Sequence, residues 1–304
     1  MANFEGIVNV LKPPGMTSSD AVCDLRHIFN MKRVGHMGTL DPGASGVLPI
    51  ALGRATRLFD YLVEKQKRYI AEVTFGAETE TQDSYGEILT SDDRIITRED
   101  IEGVLPYFRG DIVQKAPIYS ALNQNGVKLY KLARQGKEIE EKYRDATIFS
   151  LDVIKEMEKN KFLIDVVCSK GTYIRTLCHD IGKKLGTHAY MSFLLRTSTG
   201  VFTLENSFSI AELRKMKEEG TLERAVMSTE DVLASFNTLD IKLSKSRYFH
   251  LLNGIPAPLC EAKEEVSEFP ENTPLRLYCN GDFLGVGIIE NSEVRLALNF
   301  TETK

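Results

Sequence analysis

The sequence predicts an α+β fold built on a mixed, mainly antiparallel central sheet flanked by helices. Strand-like and helix-like segments are interspersed without a strict strand-helix-strand rhythm, and several neighbouring strands are joined by turns short enough for hairpins. The chain of 304 residues exceeds the length at which one core keeps growing, so a large domain over 1–240 and a small one over 241–304 are expected. Hydrophobic residues at 42% and charged residues at 27% are ordinary for a globular chain able to bury a core.

Gly6 to Lys12 (GIVNVLK) alternates as a strand does and runs into Pro13, Pro14 and Gly15, which turn the chain and stop further pairing. Ser18 and Ser19 are N-cap candidates for a helix on which Val22, Leu25, Ile28 and Phe29 recur at three- and four-residue steps. Val34 to Gly53 (VGHMGTLDPGASGVLPIALG) has too much Gly and Pro for a long helix and too many apolar side chains for a linker, so a buried functional loop is expected. A helix around Arg54 to Val63, a strand at Tyr69 to Phe75 and a turn through Asp83, Ser84 and Gly86 follow. Thr97 and Asp100 form a near capping box before a helix ending at Gly110.

Further along, Asn123 to Gly126 (NQNG) reads as a turn and Lys128 to Arg134 as a basic helix stopped by Gly136. Thr147 to Met157 and Phe162 to Cys168 flank Glu158 to Lys161 as the arms of a hairpin. A helix at Thr172 to Leu185 ends at Gly186, Tyr190 to Thr197 is a buried strand, and acidic helices occupy Ile210 to Phe236. A boundary near Leu239 to Lys242 leaves a short helix, Lys245 to Asn253, and strands near Leu275 to Tyr278 and Phe283 to Ile289.

No run of 18 apolar residues occurs and the first ten residues lack a signal-peptide pattern, so a chain that neither enters nor crosses a membrane is expected. Five cysteines without a C-x-x-C pair argue against a disulfide framework and for the cytoplasm. The scattered histidines carry no ligand spacing, and no metal is expected. A net charge of -5 argues against nucleic acid if charge is spread evenly. It is not: residues 1–75 carry 9 basic and 7 acidic groups, 105–150 carry 8 and 5, and 161–200 carry 6 and 2. The excess acid gathers in segments such as Glu78 to Asp100, so a basic face with an acidic back is one reading and solvated charge without a partner is the other.

Asp41 is the candidate nucleophile or base, lying between Leu40 and Pro42 in a loop whose glycines let a substrate come close. Asp-Pro-Gly alone reads as a surface turn. Val34, Leu40, Val47, Leu48 and Ile50 would be misplaced in an exposed turn, and a carboxylate in such company needs a cation. Arg175, at the start of a helix, can supply it, although an ordinary surface arginine is the other reading. Tyr69 and Tyr173 can present ring faces to a base, or belong to the core. Phosphate-loop, dinucleotide and serine-hydrolase motifs are not found.

NVLKPPGMTSSDAV (Asn9 to Val22), GHMGTLDPGASGVLPIALGRATR (Gly35 to Arg57), KRY (Lys67 to Tyr69), FRGDIVQKAPIYSALNQNGVKLYKLARQG (Phe108 to Gly136) and SKGTYIRTL (Ser169 to Leu177) stand in order along the chain. Together they resemble the TruB family of tRNA pseudouridine synthases, bacterial enzymes acting on uridine 55 of the tRNA T arm. The resemblance runs from Gly6 to Gly200 and is loose beyond. It implies the pseudouridine synthase fold, Asp41 as nucleophile, Arg175 as its salt-bridge partner, and Tyr69 stacking on the target base and assisting a proton. It further implies His36 beside the flipped base, an RNA-gripping insertion around 111–144 and a PUA-like RNA-binding module from about 241. Gly38, Tyr173, Lys12, Lys67, Arg68, Lys128 and Arg134 are the further RNA contacts expected. Met37 and Gly43 depart from the family's usual loop, which bears on substrate fit. Isomerisation of uridine leaves its redox state unchanged, so no cofactor is expected; a monomer working on tRNA without an obligate protein partner is. The rivals are a guide-dependent pseudouridine synthase within a ribonucleoprotein and an RNA-binding or RNA-folding protein without essential catalysis.

Overall fold

The computed structural model describes residues 4–62, 66–120, 122–259 and 269–301; the side chains at 130 and 134, the second of them the expected contact Arg134, and Cys260 lie outside the described residues. Ten strands form one sheet, whose main path runs Val226–Met227, Gly6–Lys12, Ser45–Leu52, Ala189–Thr199, Lys67–Phe75, Lys161–Cys168, Tyr143–Glu158, Gly110–Lys115. Val34–His36 and Phe202–Thr203 pair off this path. Among the described residues the sheet is antiparallel except where Ser45–Leu52 runs parallel to Ala189–Thr199. The α+β expectation with a mixed, mainly antiparallel sheet is met.

Period-two burial explains the central strands: Lys161–Cys168 alternates between partly and fully buried side chains, while Ser45–Leu52 is buried at every position after Ser45, because both of its faces are covered. Helices Ser18–Phe29, Arg98–Val104, Ile174–Leu185 and Ile210–Glu219 supply Leu25, Ile101, Leu177 and Leu213 to one core against the sheet. Each of these leucines and isoleucines is fully buried, which contributes roughly 2 kcal/mol apiece before entropy is subtracted. The opposite face of Ile7 and Ala51 packs with Phe202, Val232, Val286 and Phe300. A second sheet, ordered Thr238–Ile241, Pro274–Cys279, Asp282–Glu290, Glu293–Asn299, Ala257–Pro258, closes on its own core with helix Lys245–Leu252.

Several local expectations are corrected. The first helix is capped by Thr17, not Ser18 or Ser19; Thr17 and Asp20 form a full capping box, and Ser18 is buried inside the first turn. The glycine-dense segment 34–53 is only half loop, because Ser45–Leu52 is a central strand whose Pro49 lacks only a donor. Gly53–Leu58 is a 3-10 turn before the single α-turn Phe59–Leu62. The helix begun at Thr97 ends at Val104; Pro106 sits in the 3-10 turn Leu105–Phe108, and Gly110 opens a strand. Strand Tyr143–Glu158 starts earlier than the hairpin reading had it, pairing with Gly110–Lys115. Segment 111–144 is therefore anchored in the sheet at both ends, with helix Leu129–Arg134 and the ribbon Asn123–Gln124/Val127–Lys128 between. The second sheet begins at Thr238. No helix of the described residues is long and apolar enough to cross a membrane.

Candidate active site

The register of the sheet sets the site. Gly46 lies opposite Arg196, Arg196 opposite Tyr69, and Tyr69 opposite Val166, so one row crosses the parallel junction. Gly46 has φ +113 and a Cβ there would sit 2.7 Å from the Arg196 N, so only glycine permits this approach. The chain segment just before it carries Asp41, and every carbonyl from Thr39 to Pro42 has a donor. Arg196 Nη1 donates to Thr39 O (3.3 Å), Ser18 Oγ to Leu40 O (3.0 Å) and Ala44 N to Asp41 O (3.1 Å). Pro42 O receives both Gly15 N (2.8 Å) and Lys12 Nζ (3.2 Å). A loop whose acceptors are all engaged holds its side chain in one place.

Arg175 enters from the first turn of helix Ile174–Leu185, and its Nε lies 3.1 Å from Asp41 Oδ2. The guanidinium is 6% exposed and the carboxylate 40%, so the cation is sunk in the protein while the anion faces outward. Nη1 donates to Thr81 O (3.1 Å) and Asp83 Oδ2 (3.4 Å), and Nη2 to Tyr119 O (3.1 Å). One planar fork thus satisfies three acceptors from two chain segments besides Asp41. The helix start is fixed by the buried Gln114, which donates to Tyr173 O (3.2 Å) and accepts from Tyr173 N (2.9 Å). Thr81 and Asp83 belong to the turn between strands Ala77–Thr79 and Ile88–Ser91. Glu78 ties that ribbon to the rest through His179 Nε2 (2.9 Å) and His188 Nδ1 (3.2 Å).

The other expected residues divide. Tyr69 reaches the site, with Arg196 and Asp41 acting on its hydroxyl, but burial pushes that hydroxyl's pKa up and only 7% of the residue is exposed. Little of the ring expected to meet a base is therefore open. His36 is partly buried, which lowers its pKa, and its Nδ1 has no partner among the described residues. Gly38 has φ +114 with open space where a Cβ would stand, so backbone conformation, not crowding, asks for glycine. Tyr173 is half-buried beside Arg175. Lys12, expected to touch RNA, is instead fully buried: its ammonium donates to Pro13 O (2.8 Å), Met16 O (2.8 Å) and Pro42 O, bracing the Asp41 loop. Lys67 is also buried rather than offered to a phosphate, and Arg68 is exposed but engaged with Asp165. Both line a cleft of about 440 Å³ with Met37 and Thr199 that includes neither Asp41 nor Arg175. Lys128 is half-exposed on the ribbon, away from this cleft's lining.

Four residues of the site were missed: Ser18, Asp83, Gln114 and Arg196. Arg196 carried a signal, a lone arginine ending the apolar run Ala189 to Leu195 of a strand expected to be buried. It is 1% exposed, donates from Nε to Val47 O (2.8 Å), and its Nη2 has no partner among the described residues. Asp83 read as ordinary turn chemistry, and nothing local marks Gln114 or Ser18. Among the described residues, no three His, Cys, Asp or Glu side chains are grouped to hold a metal ion.

A carboxylate kept beside a buried guanidinium, at the centre of a mixed sheet and still open to solvent, can act as nucleophile or base without further charge. The fold that carries it is the pseudouridine synthase fold. A solved H/ACA RNP bound to a substrate RNA containing 2'-deoxyuridine superposes with TM-score 0.75 at 24% identity, covering 98% of this chain and 85% of that one. The archaeal box H/ACA sRNP Nop10-Cbf5 complex gives 0.74 at 24% identity, covering 98% and 86%. Residues 26–174 match the TruB family pseudouridylate synthase (N terminal domain), and 175–234 match the tRNA pseudouridylate synthase B C-terminal domain. Proteins named tRNA pseudouridine synthase B are 42% identical in Alkaliphilus oremlandii, over 95% of either chain, and 46% identical in Pelotomaculum thermopropionicum, over 79% of this chain and 78% of that one. The chain belongs to the TruB family of pseudouridine synthases, which are isomerases.

Proposed function

We propose that this protein converts uridine 55 in the T arm of tRNA to pseudouridine, with Asp41 as the nucleophile on an extruded uridine. The observation that carries the reading is the pairing of a solvent-facing Asp41 with a buried Arg175 at 3.1 Å. The names of the relatives support tRNA as substrate.

Isomerisation breaks the N1 to C1′ bond and joins C5 to C1′, the C5 proton leaving as N1 takes one up. Asp41 adds reversibly to the nucleoside or promotes elimination at the sugar, and Arg175 keeps it oriented. Extrusion of the uridine costs a few kcal/mol of unstacking, offset by protein contacts that include His36, Tyr173 and the backbone at Gly38. Tyr69 acts through its hydroxyl, the part of it that shares Asp41's surroundings. Segment 111–144 grips the RNA with Lys128 and Arg134, and residues from about 241 form a PUA-like module that adds RNA contact. The enzyme works as a monomer, without guide RNA or protein partner.

The test is incubation of purified protein with an unmodified tRNA transcript and no guide RNA. Mass spectrometry should find pseudouridine at position 55 alone. No product, or product only with a guide, removes the reading.

A further inference from the structure

Resting on that reading, we infer that Tyr85 is a stacking platform for an RNA base that flanks the target uridine. Three observations combine. A Cβ at Gly43, two residues after Asp41, would run into the edge of the Tyr85 ring, with Cζ 2.7 Å and Cδ2 2.9 Å away. The ring therefore lies against the Asp41 loop, in space that any other residue at 43 would take. Tyr85 is nonetheless 69% exposed. The three ring atoms nearest that Cβ, Cδ2, Cε2 and Cζ, lie along one edge, and with 69% of the residue exposed, burial of the ring is not what it gains there.

The backbone that carries the ring is also held. Tyr85 N donates to Asp83 Oδ1 (3.0 Å), and Asp83 Oδ2 takes the Arg175 Nη1 hydrogen bond (3.4 Å). Met191 N donates to Gln82 O (3.0 Å), fastening the same turn to the central sheet. Tyr85 is thus linked to Asp41 by two routes, through Gly43 and through Asp83 and Arg175. An aromatic on a fixed backbone, with only two side-chain torsions left to order, offers its face at little entropic cost.

A nucleotide pulled from its stack leaves its neighbours with one face unpaired, and a base of any identity can restore it on an aromatic side chain. The ligand class is therefore the base adjacent to the target, recognised by its π-face and not by hydrogen bonds. Gly43 and Tyr85 act as a pair: the first is small so that the second can lie there.

The test uses the full chain and a T-arm stem-loop RNA carrying 2-aminopurine on one or the other side of the target uridine. Wild type and Tyr85→Phe should quench one of the two probes on binding. Tyr85→Ala should lose that quenching and bind the stem-loop roughly 5- to 100-fold more weakly. Gly43→Ala, which dislodges the ring and leaves it in the chain, should lose the same quenching, and adding it to Tyr85→Ala should change nothing more. Equal quenching by wild type and Tyr85→Ala, with wild type forming pseudouridine in the same RNA, overturns the inference alone. Absence of pseudouridine with wild type overturns the function proposed above instead.

Discussion

Asp41 and Arg175 meet at 3.1 Å with opposite exposures, 40% for the carboxylate and 6% for the guanidinium. The arginine cannot follow the carboxylate outward, because Thr81, Asp83 and Tyr119 hold its other nitrogens. The pair is therefore a buried, fixed cation that aims a solvent-facing anion, quite unlike an exposed surface ion pair.

Arg175→Lys should show how much the aim matters. An ammonium keeps the charge but cannot reach four acceptors in one plane, and misplacement of a reacting group by an ångström costs about 100-fold. Steady-state kinetics should therefore give a fall in kcat of at least that order, with tRNA affinity little changed. Wild-type kcat in Arg175→Lys would separate this arginine from the chemistry.

Lys12 supplies a pH signature. Burial, against the pull of Asp41, pushes its ammonium down to about 8. Above that value Lys12 loses both a positive charge near Asp41 and one of three N–H groups bracing the loop. An alkaline decline in kcat/KM centred near pH 8 is expected, and Lys12→Arg should move it upward if the variant folds. Stability runs the other way. Between about 8 and the ordinary 10.5 the unfolded chain binds the proton that the folded chain lacks, so this group's contribution to stability rises with pH there. Thermal melts should then gain from this group where activity falls; melting that parallels the activity loss would contradict the assignment.

Glu78 links the ribbon carrying Thr81 and Asp83 to His179 and His188. The Asp180 hydrogen bond and Glu78, against burial, raise His179; burial alone would raise Glu78, but both histidines more than offset it and lower it. The His179 contribution is complete below its ordinary 6.5 and is lost as pH rises through the raised value; that of Glu78 is complete above 4.5 and is lost as pH falls through the lowered one. Glu78→Gln should cost about 2 kcal/mol or less near pH 6, and the difference from wild type should shrink near pH 9. Denaturant titrations at both pH values check this, and a pH-independent difference would exclude the histidine tie.

Gly46→Ala tests the row beneath the site. Its Cβ would collide with the Arg196 backbone, and its φ of +113 is strained for any side chain. A loss of roughly 3 kcal/mol or more is expected from the two effects together. A variant as stable as wild type would mean that the parallel junction tolerates spreading.

The sequence made the site's main pair legible and its supports obscure. Asp41 stands in a segment whose composition is wrong for a surface turn, Arg175 is singled out at a helix start by the family resemblance, and the strand Gly6–Lys12 and helix Ile174–Leu185 follow from their periodicity and from Pro13 and Gly186. Ser45–Leu52 reads as loop because glycine and proline frequencies speak of turns, whereas a strand buried on both faces shows no alternation to set against them. Lys12 and Lys67 are expected at RNA by the family resemblance, and charge usually lies outside; only the fold reveals carbonyls converging on the Lys12 ammonium. Asp83, Gln114 and Arg196 matter through partners 92, 59 and 149 residues away, and no local pattern encodes such pairings.

Asp41→Asn is the most direct measurement. It keeps the size of the side chain and an acceptor near Arg175 but removes the charged oxygen. Mass spectrometry of a tRNA transcript incubated with this variant should find no pseudouridine at position 55, while binding of the transcript stays within a few-fold of wild type. Pseudouridine formed at the wild-type rate would contradict the assignment of the chemistry to this carboxylate.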